Sequence, residues 1–411
     1  MSKAPPQRSP GQRLRRKAPD TVMNESTAAA QRLVDYFLVV TPEPTWNRKV
    51  AAPTAVRVDT GNIQLPQQRK DYTFSPSITA RYPEKDYEDN PLNPMVIQFC
   101  FPSDDVVYPS RSYVMPRVHH FVLTNERGRR VYGTCLTVFE EYKPDGPWKN
   151  QSTATAGKDG IELSDDKSGR CLYIPKVLCV LSNWPYLTAF REYLAQLYRL
   201  ATATNVMKIP IERYVVNLCQ EIPAPPPGAY EVQLSILDST IRFWAPPAKL
   251  PIAYVSLPFQ ILFQCLDVPN VLTLWKALAL ERKVLLVSTQ HSILTVCAEI
   301  LISLLFPLRW SLLYVPMLPR LFSPMLDAPV PYLCGIVREN RMYAQKHISG
   351  DCIVVDLDRN EVKFGHSTPE MPDPPANKYQ KLESLLNDLI GSHIWKIRGL
   401  ENLNSQPKRS D

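Results

Sequence analysis

The chain has 411 residues, of which 45% are hydrophobic, and it carries a formal net charge of +7. This length suits two or three domains with sizeable cores. Residues 1–20 hold six lysines or arginines against one aspartate, so they contribute +5 of that charge. The remainder is nearly neutral, which argues against a nucleic-acid-binding domain, because such a domain carries its positive charge on a folded face.

We expect residues 1–30 to form a disordered basic tail, since they combine basic residues with proline and serine. Weak attraction of this tail to anionic lipid headgroups, at about 1 kcal/mol per basic residue, is the alternative.

Cysteine spacing and hydropathy narrow the class of protein. The nine cysteines include no C-x-x-C pair, so we expect buried free thiols in a reducing compartment, with neither disulfides nor a zinc site. The most apolar stretch, residues 284–315, is interrupted by Glu299, Pro307 and Arg309. It lacks the roughly 20 uninterrupted apolar residues that a membrane-spanning helix needs. We therefore expect a cytoplasmic protein.

Strand patterns dominate the first part of the chain. Residues 33–40 predict a first strand, whereas residues 41–94 lack clear periodicity and predict an elaborated loop. Runs of strand formers at 121–124 and 131–142 flank the turn formers of residues 125–128. This pattern predicts an antiparallel hairpin.

A strand and a helix are predicted next. Residues 143–170 are turn formers and charged residues, and they predict a mobile insertion. Residues 173–181 predict a strand. Apolar residues recur at helical spacing from Tyr186 to Leu197, and Pro185 marks the start of this predicted helix.

A second unit is predicted after the proline-rich residues 224–228, which we interpret as a linker. Residues 234–237 and 241–244 predict a short hairpin at its start. Towards its end, residues 352–357 predict a strand, and apolar positions within residues 381–397 predict an amphipathic helix.

The centre of this unit alternates helices with buried strands. Its first helix is predicted from an apolar stripe of Val271, Leu274, Trp275 and Leu278. Residues 284–287 are apolar throughout and predict a strand covered on both faces. Ser292 is a candidate N-cap for a second helix that ends at Pro307. Residues 312–315 predict a strand parallel to the first, because a helical crossover between two strands of one sheet is right-handed.

Short signatures follow one another in order through this centre. They are Glu281, Arg282 and Lys283 before the buried strand, then Pro307 and Trp310, then Pro316, Leu318 and Pro319, and finally Ala328, Pro329, Pro331, Tyr332 and Gly335. Together they resemble the central module of the DENN domain family, whose members activate Rab-type small GTPases by nucleotide exchange. Residues 98–102 (QFCFP), 119–142 and 173–198 resemble the upstream module of that family. Most of residues 31–355 is covered.

The resemblance implies an α/β fold with two lobes. One lobe would be a longin-like N-terminal module, and the other a central α/β module with a largely parallel sheet flanked by helices. The implied domains are an upstream module at 31–222 with insertions at 41–94 and 143–170, a linker at 223–233, a central module at 234–350, and the start of a downstream module or a C-terminal tail at 351–411. Pro329, Pro331 and Tyr332 are expected to shape a turn and fill the core.

The resemblance also implies a function, which is guanine nucleotide exchange on a Rab-type GTPase in membrane traffic. The protein would associate peripherally with vesicle or endosomal membranes. An exchange factor needs no reactive side chain, because it releases GDP by binding the nucleotide-free GTPase more tightly than the loaded form. We therefore expect a regulatory protein rather than an enzyme, with no cofactor. The sequence leaves the oligomeric state open.

The sequence signatures of common active sites do not occur. G-x-S-x-G, H-E-x-x-H and G-x-G-x-x-G are absent. Gly128 and Gly133 have the spacing of a phosphate-binding loop but lack the Lys-Ser/Thr that should follow. His119 and His120 are neighbours on a predicted strand and would point to opposite faces, so we expect them to be structural, and we expect no metal site.

Candidate GTPase contacts surround the predicted central helix and the strand after it. They are Asp267, Asn270, Glu281, Arg282, Lys283, Gln290 and His291. A structural explanation of the basic pair is equally good, because cations at the carboxyl end of a helix complement its dipole.

Two alternatives from other classes remain open. One is a GTPase-binding adaptor or GTPase-activating relative with the same lobes, in which an arginine reaches the γ-phosphate. The arginines available on predicted loops are Arg111, Arg117, Arg127, Arg129 and Arg130. The other alternative is a hydrolase or transferase with an unrecognised site.

Overall fold

The computed structural model describes residues 32–45, 73–103, 110, 112–124, 128–141, 173–203, 209–228, 230–246 and 256–402. For residues 43–45, 73–74 and 391–402 only the backbone is described. The insertion predicted at 143–170 and the predicted basic tail lie outside the described residues.

The first sheet has five antiparallel strands in the order β2-β1-β5-β4-β3. The strands are β1 (Tyr36–Thr45), β2 (Thr73–Tyr82), β3 (Arg117–Thr124), β4 (Arg130–Glu141) and β5 (Tyr173–Ser182), and a short helix α1 (Val96–Cys100) lies between β2 and β3. The predicted hairpin is confirmed, since Thr124 is paired with Arg130 at its turn. The strand predicted at 173–181 is confirmed as β5.

The prediction of a loop over residues 41–94 is wrong in the described part. β1 continues to Thr45, and β2 pairs along its whole length with β1. Pro76 and the interleaved Ser and Thr residues hide the alternation of apolar residues in β2. Proline is tolerated there because β2 is an edge strand, where one side of the backbone needs no hydrogen-bond partner.

A helical layer covers one face of this sheet. It consists of α2 (Leu187–Thr202) and α3 (Ile211–Val216), which continues as a π turn (Asn217–Glu221). The following hairpin, β6 (Glu231–Ile236) and β7 (Ser239–Trp244), packs against α2 in the same core, for example through Phe243 on Phe190. We expected this hairpin to open the second unit, but it joins the first. The predicted domain limits themselves stay predictions.

The second sheet also has five strands, in the order β12-β11-β8-β10-β9. In chain order its unit comprises α4 (Gln260–Cys265), α5 (Val268–Ala279), β8 (Val284–Ser288), α6 (His291–Ser303), β9 (Leu313–Val315), β10 (Tyr332–Val337), α7 (Arg341–Ala344), β11 (Ile353–Asp356), β12 (Glu361–Lys363) and α8 (Ala376–Asn402). β8 pairs in parallel with β10 and β11, and β9 pairs in parallel with β10, whereas β12 is antiparallel to β11. The mixed α/β class is confirmed.

Strand β10 lies between β8 and β9, and the sequence analysis predicts no strand there. Tyr332, which we expect to fill the core, is buried at the start of this strand. All six of its residues are buried. The flanking prolines and Gly335 obscured this apolar run. Gly335 is required by packing, since a Cβ atom at this position would lie 2.1 Å from the carbonyl oxygen of Pro316.

Two details of the central helices differ from the predictions. Trp275 was assigned to the buried stripe of α5, but it is exposed and donates from Nε1 to the carbonyl oxygen of Leu304 (2.9 Å). Helix α6 begins two residues earlier than predicted, so Gln290 rather than Ser292 is the N-cap residue. The Ser288 hydroxyl accepts a hydrogen bond from the backbone N–H of Gln290 (2.9 Å), which fixes the entry to the helix.

One hydrophobic core joins the two sheets. Helix α6 packs on β3 of the first sheet and on β8 and β10 of the second. The Thr295 hydroxyl of α6 donates to the carbonyl oxygen of His120 on β3. Arg130 of β4 donates to the carbonyl oxygen of Trp310 (3.1 Å) and lies over the ring of Tyr314. No helix in the described part of the chain is both long and apolar enough to cross a membrane.

The two neighbouring histidines of β3 are structural, as predicted. His119 donates from Nε2 to the carbonyl oxygen of Phe99 (2.9 Å), and His120 contacts the hydroxyl of Thr134 through Nδ1 (3.1 Å). Burial lowers the pKa of His119 to about 4, with a further contribution from His291. Burial also lowers the pKa of His120 to about 3. Both imidazoles are therefore neutral in the folded protein at neutral pH.

The lowered pKa values of these two histidines predict a loss of stability on acidification. The ordinary histidine pKa is 6.5, so between pH 6.5 and 4 the unfolded chain binds protons that the folded chain does not. At pH 5 each histidine should lower the free energy of unfolding by about 2 kcal/mol relative to pH 7.5. Urea unfolding at both pH values tests this. His120→Gln should reduce the difference between the two pH values, whereas the exposed-residue control His366→Gln should not; equal differences in both variants would contradict the assignment.

Candidate functional site

The seven predicted contact residues lie in three places along the chain. Asp267 and Asn270 lie at the start of α5, whereas Glu281, Arg282 and Lys283 follow its end. A helix of 12 residues is about 18 Å long. Gln290 and His291 follow β8 and therefore lie at the carboxyl edge of the sheet. The two ends of α5 must consequently be considered as different surfaces.

Asp267 and Asn270 form a closed polar cluster with Asn360 from the turn between β11 and β12. The Asp267 carboxylate caps α5 by accepting from the backbone N–H of Asn270 (2.9 Å) and also accepts from Asn360 Nδ2 (3.0 Å). Asn270 Nδ2 donates to both oxygens of Asn360, at 2.9 and 3.0 Å. Asn360 has a φ of 55°, in the left-handed region that asparagine tolerates. The side chains of Asp267 and Asn270 therefore form their hydrogen bonds within the fold.

A second polar cluster lies at the carboxyl ends of β8, β10 and β11, and the sequence interpretation missed it. Asp358 accepts from the Ser288 hydroxyl (2.6 Å), the Thr289 backbone N–H (2.8 Å) and Arg338 (2.8 Å). Burial raises the pKa of Asp358, but these hydrogen bonds outweigh it, and the net pKa is lowered. Arg338 also donates to Asp356, and its pKa is raised, above all by this hydrogen bond. The signal available was Arg338 directly after β10 and Asp358 two residues after β11, at the carboxyl ends of neighbouring strands.

Glu281 and Arg282 terminate α5 in a Schellman motif. The N–H of Glu281 donates to the carbonyl oxygen of Leu278 (3.0 Å), and the N–H of Arg282 donates to that of Ala277 (2.9 Å). Glu281 occupies the left-handed position with a φ of 54°, where glycine is usual. Its side chain is exposed. The Arg282 Nε atom is buried and has no hydrogen-bond partner among the described residues.

Lys283 is used within the fold. Its ammonium group donates to the Ser349 hydroxyl and to the Asp351 carboxylate, both at 3.2 Å, and only 11% of its side chain is exposed. Its carbonyl oxygen accepts from the N–H of Ile353 (2.9 Å). Lys283 therefore joins the starts of β8 and β11 and presents little charge to a partner.

Gln290 and His291 have different environments. Gln290 is exposed, and the structure assigns it no side-chain capping bond. The His291 ring lies 6.2 Å from that of His119, and its Nε2 atom is buried without a partner among the described residues. Burial lowers the pKa of His291, and Arg117 lowers it further, although Glu339 opposes the shift. His291 is thus uncharged at neutral pH and cannot act as a cationic contact.

Exposed apolar side chains surround the carboxyl end of α5. We call Trp275, Leu280, Phe306 and Leu308 the apolar patch; their exposed fractions are 42, 37, 48 and 60%. Trp275 is held by its bond to Leu304, two residues before Phe306. Leu308 lines a cavity of about 210 Å³ together with Glu281. The patch therefore adjoins one group of the predicted contact residues.

The larger of the described cavities offers no evident chemistry. It measures about 520 Å³, lies between the first sheet and α2 and α3, and is mainly apolar. No histidine, cysteine or serine lines it. Two of its charged residues, Lys176 and Glu140, pair with each other at 3.3 Å.

Comparison with known proteins agrees with this architecture. A family model described as the DENN (AEX-3) domain matches residues 173–360, and the uDENN domain model matches residues 76–138. The chain belongs to the DENN domain family. DENN proteins are generally regulators that act as exchange factors for Rab GTPases.

One relative is also named as a DENN domain protein. The chain is 26% identical over 324 residues to the DENN domain and WD repeat-containing protein SCD1 of Arabidopsis thaliana. The match covers 77% of this chain and 25% of the relative. The chain thus spans about a quarter of the length of this relative.

The Schellman motif generates a prediction about stability. Glu281→Gly should raise the free energy of unfolding by about 1 kcal/mol, because glycine avoids the contact of Cβ with the backbone in the left-handed region. Glu281→Ala is the matched control, since it removes the same carboxylate but keeps Cβ. Urea unfolding measures both variants; a glycine variant no more stable than the alanine variant would contradict the strain at this position.

Proposed function

We propose that this chain is a guanine nucleotide exchange factor for a Rab-type GTPase and that the apolar patch contributes to the contact. Family membership supports the general activity. The apolar patch is the observation that carries the surface assignment, because large exposed aromatic and aliphatic side chains grouped on a folded surface are typical of protein-binding sites.

The proposed mechanism is differential binding. A small GTPase holds GDP through phosphate contacts, Mg²⁺ and ordered switch segments, and an exchange factor stabilises the conformation in which these contacts are disturbed. A shift of about 10⁴ in the equilibrium between two states needs roughly 5.5 kcal/mol of preference for one of them. No group on the exchange factor has to become covalently modified or donate a proton.

The geometry of the patch suits such a contact. Trp275 offers a wide surface whose position is set by a hydrogen bond, so little side-chain entropy is lost on binding. Glu281 supplies an exposed carboxylate beside Leu308. Of the seven predicted contacts, we retain Glu281, Arg282 and Gln290 as proposed contacts. We assign Asp267, Asn270 and Lys283 to the structure, since their hydrogen-bonding groups bind within the chain. We also assign His291 to the structure, because its ring packs beside that of His119.

Several finer expectations accompany this proposal. We propose a longin-like architecture for the first sheet and its helices, supported by the five-stranded antiparallel sheet that is covered by α2. Peripheral association with vesicle or endosomal membranes and a role in membrane traffic are proposed from the family.

Nucleotide release from a panel of purified Rab-type GTPases tests the exchange activity. At least one GTPase should lose a fluorescent GDP analogue faster when the full chain is added. Trp275→Ala and Leu308→Asp should each reduce the second-order rate constant of release at least tenfold, which corresponds to about 1.4 kcal/mol. The exposed-residue control Tyr230→Ala, 74% exposed and outside the patch, should retain the rate.

Two outcomes would overturn the proposal. Unchanged release across the panel would contradict the proposed exchange activity. Faster multiple-turnover GTP hydrolysis with the same proteins would favour the GTPase-activating alternative. Arg130 is already used against Trp310 and Tyr314, which makes it a poor candidate for an arginine that reaches a nucleotide. Full exchange activity in both patch variants would instead contradict the assignment of the apolar patch as the contact surface.

A further inference from the structure

Three cysteine thiols meet inside the first unit, away from the apolar patch. Cys100 ends α1, Cys135 lies on β4 and Cys179 lies on β5. Cys135 and Cys179 are directly opposite each other across the two strands. Their sulfur atoms and that of Cys100 all lie within 4.8 Å of one another, and the Cys135 to Cys100 distance is 3.8 Å. We call these residues the thiol trio.

The thiol trio is buried. None of the three residues is more than 1% exposed. His119 is the strand partner of Cys135 and donates to the carbonyl oxygen of Phe99, so it holds the backbone next to Cys100. Among the described residues, this is the one group of three or more potential metal ligands close enough to share an ion.

We propose that the thiol trio binds one thiophilic metal ion, Zn²⁺ or Cu⁺. Thiolates select these ions over the hard cations Mg²⁺ and Ca²⁺. A metal–sulfur distance of about 2.3 Å places sulfurs about 3.8–4.0 Å apart in tetrahedral or trigonal geometry. The observed 3.8 Å matches this range, so at least one pair of ligands would need little movement.

Loading of the site should accompany folding. All three thiols are buried in the folded chain, and the metal displaces their protons as it binds, so the ion has to enter before the site closes.

The ion would have a structural role. The segment after Cys100 reaches the second unit, where the carbonyl oxygen of Pro102 accepts from the Arg320 N–H and from Asn340 Nδ2, both at 2.9 Å. Phe99 also stacks on Phe322. Anchoring α1 to β4 and β5 would thus fix a connection between the two sheets. This inference is independent of the proposed exchange activity.

Metal analysis of the purified full chain tests the site. Protein produced with zinc and copper both supplied should contain about one equivalent of one of them per chain by mass spectrometry. Cys100→Ala, Cys135→Ala and Cys179→Ala should each reduce that content at least tenfold. Cys219→Ala and Cys334→Ala are matched controls, since both residues are buried free cysteines outside the trio, and both should keep the metal.

A second readout uses the unaltered chain and does not depend on the variants folding. Refolding with Co²⁺ should produce the thiolate-to-cobalt charge-transfer absorption. Added Zn²⁺ should abolish this absorption if zinc is the resident ion. Retention of copper in the presence of added zinc would identify Cu⁺ as the resident ion. Less than one tenth of an equivalent of metal together with no cobalt band would overturn the proposal and leave three packed thiols. Equal metal content in the trio variants and the controls would place the ion elsewhere.

Discussion

The packing of α6 between the two sheets is the constraint on which the architecture depends. This helix is apolar around most of its circumference, and eight of its 13 residues are buried, as is typical of a helix covered on several sides. One side meets β3, and the other meets β8 and β10. The boundary between the sheets is therefore filled with side chains, and separating them would expose apolar surface along the whole helix. The two sheets therefore share one hydrophobic core.

This joint also determines which polar residues are available for binding. A helix and a parallel strand that pack tightly must end in short connections, and each connection leaves backbone groups that need partners. At the start of α5, Asn360 accepts from a backbone N–H, and Asp358 does the same at the end of β8. Before β8, Asp351 accepts from the ammonium group of Lys283. Polar side chains at these junctions therefore form hydrogen bonds within the chain and are less available to a partner. Surface available to a partner is left where α5 ends, because Trp275 and Leu308 remain exposed there.

The sequence predicted elements whose signal is local and missed those that depend on distant partners. The apolar run of residues 284–287 and most of the apolar stripe of α5 are visible within a few residues of the sequence. By contrast, β2 is a strand because β1 lies beside it, and Pro76 is acceptable only at an edge. The role of Asn270 is equally remote, since Asn360 is 90 positions away. The thiol trio is spread over β4, β5 and α1, so no short motif indicates it.

The shared core of the two sheets bears on how the proposed exchange would work. A surface that does not adapt is complementary to one conformation of its partner, and the free energy lost on meeting any other conformation becomes selectivity. Trp275 is held by Leu304, and Glu281 is held by a helix-terminating motif, so neither position follows a partner that changes shape. In the proposed mechanism the conformational change would fall on the GTPase. The fold would contribute to nucleotide release by keeping its contact surface unchanged while the partner rearranges.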